Sequence, residues 1–96
     1  MPKGYIITRM TVTDPSTYKR YAEMASSAMK IYGGKPIARG GRFEALEGEA
    51  RPRNVILEFE SFDAARRYYH SPEYQAAVRV RLPAGTGEVV LVEGTD

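Results

Sequence analysis

From Tyr18 to Tyr32 the apolar residues fall at positions 18, 21, 22, 25, 28, 29 and 32, a spacing that lines one face of an α-helix. Asp14-Pro15 ahead of it supplies an N-cap and a proline at the first helical position, and Gly33-Gly34 supplies a left-handed stop. On either side the pattern changes to strand. Residues 4–12 mix β-branched and aromatic side chains, and residues 53–60 alternate, with Val55, Leu57 and Phe59 on one face and Asn54, Ile56, Glu58 and Glu60 on the other. Residues 35–48 read as a further strand interrupted at Gly40-Gly41, where the missing side chains imply a bulge or a close backbone approach. Ser61 caps a second helix with Phe62, Ala65 and Tyr69 on one stripe; it ends near His70, because Ser71-Pro72 opens a new capped segment. Tyr74, Ala77, Val78 and Arg81 share a face of that segment. Leu82-Pro83-Ala84-Gly85 breaks it, and residues 88–93 form a short apolar strand expected to be buried on both faces.

The predicted order is βαββαβ with the second helix split. No internal repeat, linker or low-complexity tract divides the chain, so residues 1–96 are expected to form one ferredoxin-like α+β domain, an antiparallel sheet with helices on one face. Two helices cover only one face of such a sheet, yet strand four is apolar on both. A second copy packed sheet against sheet about a two-fold axis would cover the other face and enclose a barrel, so the pattern predicts a homodimer. Ninety-six residues bury too small a fraction of their surface to be more than marginally stable alone, which favours the same solution.

Composition narrows the chemistry. With no cysteine there is no disulfide, thiolate nucleophile or sulfur ligand, and one histidine cannot assemble a transition-metal site. No apolar stretch approaches the roughly 20 residues of a membrane span, and the N-terminus lacks a signal-peptide apolar region. A cytoplasmic protein with no membrane partner is expected. The net charge of +2 is spread over arginine pairs with acids interleaved, and strand three offers an acidic, aromatic-poor face, which argues against nucleic acid. Arg39-Gly-Gly-Arg42 lies in a predicted strand and lacks the lysine and hydroxyl of a phosphate loop.

A set of short motifs recurs in order: Tyr-Gly-Gly at 32–34, Arg-Gly-Gly-Arg at 39–42, Leu-Glu-Gly at 46–48, Arg53, Glu-Phe-Glu-Ser at 58–61, Tyr69, Ser-Pro-Glu-Tyr at 71–74, Arg81 and Val-Glu-Gly at 92–94. In that order and spacing the chain resembles the domain of unknown function 1330 family, within the dimeric α/β-barrel superfamily. The resemblance implies a dimeric barrel of ferredoxin-like protomers, each with a small cleft between sheet and helices. It implies no established activity. Members of the superfamily include cofactor-independent monooxygenases, ring isomerases, haem enzymes and ligand binders, so the fold does not decide the function.

Arg39, Arg53 and Arg81 stand apart from the surface arginines. Arg81 continues the Tyr74 stripe, so its stem runs toward the core while its guanidinium needs a partner; an unpaired buried charge costs several kcal/mol. One reading gives it Glu47, Glu58 or Glu93 in an internal network tying helix to sheet. The other has Arg39 or Arg81 present a planar fork to a ligand carboxylate or phenolate, with Arg53, Tyr69 and Tyr74 around the same cleft. Tyr21, Tyr69 and Tyr74 project toward the sheet, either as core or as the wall of a cleft suited to an aromatic or acyl ligand. His70 is the candidate general base, although its place at a helix end equally fits an exposed residue. Ser71 adjoins it but is explained by capping. Three function classes follow: a homodimer binding a small anionic or aromatic molecule without a cofactor; a cofactor-free monooxygenase or isomerase in the same cleft, with a carboxylate or His70 as base; and a non-catalytic structural or regulatory dimer.

Overall fold

The computed structural model describes residues 2–96. Its elements are β1 (Gly4–Val12), α1 (Pro15–Ile31), β2 (Lys35–Arg39), β3 (Arg53–Phe59), α2 (Phe62–His70), α3 (Pro72–Arg81) and β4 (Gly85–Glu93), with a 3-10 turn at Leu82–Ala84. The strands form one antiparallel sheet in the order β2-β3-β1-β4. This is the expected ferredoxin-like βαββαβ fold with a split second helix.

Register decides what each face presents. Ile6 pairs with Leu57 and Leu91, and Thr8 with Val55 and Val89, so these residues look toward the helices. Tyr5, Ile7 and Arg9 look the other way, beside Glu58, Ile56 and Asn54 of β3 and Val92, Val90 and Glu88 of β4. Val90 and Val92 are 52% and 42% exposed, while Val89 and Leu91 are partly buried against the core, so in the single chain β4 is covered on one face rather than buried on both.

The helix ends follow the sequence signals. Asp14 accepts from Thr17 N at 3.2 Å and Thr17 Oγ1 at 2.7 Å. Gly33 takes φ 77°, which lets Gly34 N donate to Met29 O at 3.0 Å and close the last turn of α1. Gly34 itself sits so close to the Phe59 ring that a Cβ would collide with it. Ser71 Oγ joins two helices: it donates to Tyr68 O at 2.7 Å and accepts from Tyr74 N at 3.1 Å.

The second strand departs from expectation. It ends at Arg39 instead of continuing to residue 48, and its irregularity falls between Pro36 and Ala38 instead of at Gly40-Gly41. Proline cannot donate to the ladder, so the pairing breaks beside it. Gly40 then adopts φ 68° and turns the chain out of the sheet. The loop that follows is tied back by Arg51, whose Nε and Nη2 reach Glu88 at 2.9 and 2.8 Å while Nη1 meets Thr11 Oγ1 at 2.9 Å.

Because Ser71 Oγ satisfies a buried carbonyl and a buried amide at once, Ser71→Ala is expected to cost about 1–2 kcal/mol. Thermal melting should fall by roughly 4–8 °C per kcal/mol, and an unchanged melting temperature would show that the two helices do not depend on this cap.

Candidate functional site

α1 packs chiefly along α3 instead of settling onto the sheet. Large side chains span the gap and leave a cavity of about 60 Å³. Its floor is Ile6, Thr8, Val55 and Leu57 from β1 and β3; its roof is Tyr18, Tyr21, Ala22, Ala25, Ser26 and Met29 from α1. Tyr68 and Tyr74 line it as well, and Arg39 and Arg53 complete the wall from the ends of β2 and β3. Arg39 pairs with Val55, which places it diagonally from Arg53 on the helix-facing side.

The tyrosines and Phe59 pack as one group of tilted and edge-on rings. Ring centroids lie 5.1 Å apart for Tyr18 and Tyr21, 4.6 Å for Tyr68 and Tyr74, and 5.0 Å for Phe59 and Tyr68. The hydroxyls of Tyr21 and Tyr74 are hydrogen-bonded at 2.8 Å, and Arg81 Nη1 donates to Tyr74 Oη at 3.1 Å. The Arg81 guanidinium also lies 5.5 Å from the centre of the Tyr21 ring. Burial works against the charge of Arg81, but the Tyr74 and Tyr21 hydroxyls outweigh it and leave the pKa above its ordinary value. Burial is also the main cause pushing up the pKa values of Tyr18, Tyr68 and Tyr74.

The arginine–glutamate network is therefore replaced by an arginine–tyrosine one. Glu58 points to the opposite face of the sheet, where it meets Lys35 at 3.5 Å and accepts from Tyr5 at 3.2 Å. Glu47 and Glu93 are exposed and form no ion pair among the described residues. Strand alternation accounts for Glu58: a residue out of phase with Leu57 and Phe59 cannot reach a helix-side guanidinium.

Arg53 is held differently. Its Nε is buried and has no hydrogen-bond partner, while its guanidinium lies 5.4 Å from the centre of the Tyr18 ring. Neither Arg53 nor Arg39 pairs with a carboxylate among the described residues. Of the sequence candidates, Arg39, Arg53 and Tyr74 meet at the cavity, and Arg81 stands behind Tyr74. Tyr69 stacks on Tyr74 at 5.4 Å, yet with exposed His70 it lines a separate crevice between α2 and β4. Tyr18 and Tyr68 belong to the cavity wall but are not among the site candidates the sequence offers. Tyr18 opens the helical stripe of α1, and Tyr68 lies three residues after Ala65, so both carried a usable periodic signal.

A ferredoxin-like chain with an arginine-flanked, tyrosine-lined cavity is the class that fold and geometry define. Residues 3–95 match the family described as Domain of unknown function (DUF1330), and the chain belongs to that family. Curated protein sequences gave no match. Among solved structures, a protein of unknown function from Rhodopseudomonas palustris superposes with a TM-score of 0.78 at 17% identity, covering 99% of this chain and 84% of that one. SnoaB, a cofactor-independent oxygenase from Streptomyces nogalater, gives 0.69 at 15% identity, covering 100% and 96%. A dimeric ferredoxin-like protein of unknown function from Thermobifida fusca gives 0.65 at 19% identity, covering 99% and 92%. At these identities the likeness is one of fold.

Tyrosines in an unfolded chain ionise near pH 10, whereas Tyr18, Tyr68 and Tyr74 stay protonated in the native core. The native state then binds more protons than the unfolded state, so stability is lost as pH rises above about 10. The slope should approach about 1.4 kcal/mol per pH unit for each tyrosine held neutral. Urea denaturation at stepped pH, alongside ultraviolet titration of tyrosinate, checks this; all seven tyrosines ionising together in a native protein would contradict it.

Proposed function

We propose that the protein is a homodimeric binder of a small organic anion, which places a short chain in the tyrosine-lined cavity and its carboxylate at Arg53 and Arg39. The observation that carries this is Arg53: a guanidinium with a buried Nε, no hydrogen-bond partner at that atom and no acid beside it. A buried donor without a partner costs about 1–3 kcal/mol, a cost that a bound carboxylate removes. Arginine's planar fork suits that group, and Arg39 stands diagonally alongside.

Cavity volume favours a short chain over an aromatic ring. About 60 Å³ is well below the roughly 150 Å³ of an apolar cavity that takes up benzene. The lining favours binding over proton abstraction. No carboxylate or imidazole is among the cavity's residues, and the tyrosines with raised pKa values are poor bases. His70, the base candidate, is exposed beside a different crevice.

The dimer rests on the uncovered sheet face, where Ile7 and Ile56 adjoin exposed Val90 and Val92, with Arg9, Glu88, Lys35 and Glu58 toward the ends. Two copies meeting there would cover those side chains. Structural neighbours described as dimeric support this arrangement.

Calorimetric titration with butyrate and benzoate tests the site. Butyrate should bind more tightly than benzoate, and Arg53→Gln should weaken it roughly ten-fold to a hundred-fold, the worth of a charge-assisted hydrogen bond. Equal binding by wild type and Arg53→Gln would refute the assignment. For the assembly, sedimentation should show a dimer that Val90→Lys converts to folded monomer; a wild-type monomer would refute the proposed interface.

A further inference from the structure

The cavity does not end at its arginines. Arg39 and Arg53 also line a surface groove of about 400 Å³ between α1 and the edge of the sheet. On the helix side this groove is bounded by Lys19, Glu23, Ser26 and Lys30, which recur at helical spacing along one stripe of α1. Lys19 and Lys30 are eleven residues apart, roughly 16 Å along the helix axis, with Ser26 shared between groove and cavity. Four cations and one carboxylate thus surround a concave space, and none of those cations is in an ion pair among the described residues.

Size and charge lead to the same ligand. The cavity accepts only a few atoms and opens beside the arginines, so most of any larger ligand seated there must lie in the groove. One carboxylate engages Arg53 and Arg39 and leaves the two lysines unanswered. A surface with an excess of one charge sign, here four cations against the Glu23 carboxylate, concentrates counter-ions and favours ligands that carry charge where the field persists. We infer that the ligand is a small polyanion, a short-chain carboxylic acid bearing a phosphate, with its carboxylate at Arg53 and Arg39 and its phosphate in the groove flanked by Lys19 and Lys30. This deepens the anion-binding reading above and rests on it.

Glycolate and phosphoglycolate are the probes, titrated calorimetrically into the full chain at low and high salt. Phosphoglycolate should bind at least ten-fold more tightly than glycolate, with an advantage that shrinks as salt screens the groove. The double variant Lys19→Gln/Lys30→Gln should bring the two ligands to within about two-fold of each other while leaving glycolate affinity unchanged. Arg53→Gln should weaken both. If wild type binds the two equally, or if the phosphate advantage survives in the lysine variant, the polyanion inference is overturned while the arginine site stands. If neither probe binds and the butyrate titration is also blank, both readings fall together. Both lysines are exposed, so circular dichroism melts should confirm that the double variant folds like wild type.

Discussion

Arg81 is a charged side chain with only 7% of its surface exposed and no ion pair among the described residues, and the interior of the protein is organised around holding it. Its guanidinium is satisfied by the Tyr74 hydroxyl and the face of Tyr21, and it occupies the last turn of α3, where carbonyl dipoles favour a cation. The same two tyrosines are bonded to each other across the α1–α3 contact. Arg81 therefore fixes Tyr74, Tyr74 fixes Tyr21, and Tyr21 sets the position of α1. A helix propped by tyrosine rings and hydroxyls cannot collapse onto the sheet as one faced with leucines could. The cavity is a consequence of that prop: the network that stabilises the core also keeps a space open beside it.

Much of this was legible in the residue pattern. Caps at Asp14, Ser61 and Ser71, the glycine stop at Gly33 and the period-two pattern of β3 are local signals, and each acts within a few residues of itself. They bring the elements and their order to the surface of the sequence. The end of β2 was not legible, because a glycine pair can mark a bulge or a strand's end and only the pairing partner distinguishes them. Arg81 exposes a deeper limit. Its burial is readable from the helical stripe, but charge complementarity points to a carboxylate, whereas the fold supplies a hydroxyl and a ring face. Three-dimensional proximity, not sequence pattern, chose Tyr74 and Tyr21. Likewise, helical periodicity admits Tyr68 and Tyr69 alike, three and four residues after Ala65, and does not assign one to the cavity wall and the other to a separate crevice.

The two faces of the sheet carry different tasks. The helix face holds the buried tyrosines and the cavity, while the outer face exposes valines with charges toward its ends. A chain of this size gains little from its own core. Covering the outer face would add apolar burial without touching the cavity, because the cavity opens at the β2 edge between α1 and the sheet. The proposed assembly and the proposed ligand site would thereby be separable on this fold, because they use opposite faces of the sheet.

The contrast between buried Arg81 and half-buried Arg53 bears most directly on function. Arg81 has its partners inside the protein, so a ligand would have to compete with Tyr74 for it. Arg53 leaves its buried Nε without a hydrogen-bond partner among the described residues and packs against Tyr18, whose ring and hydroxyl both act on the guanidinium. An aromatic face attracts a cation without using its N–H donors, so it can hold the guanidinium in place while leaving those donors free. The protein thus gives Arg81 a hydroxyl partner in the core and leaves Arg53 Nε without one at the cavity, and that asymmetry marks Arg53 as the residue to which an anion would bind.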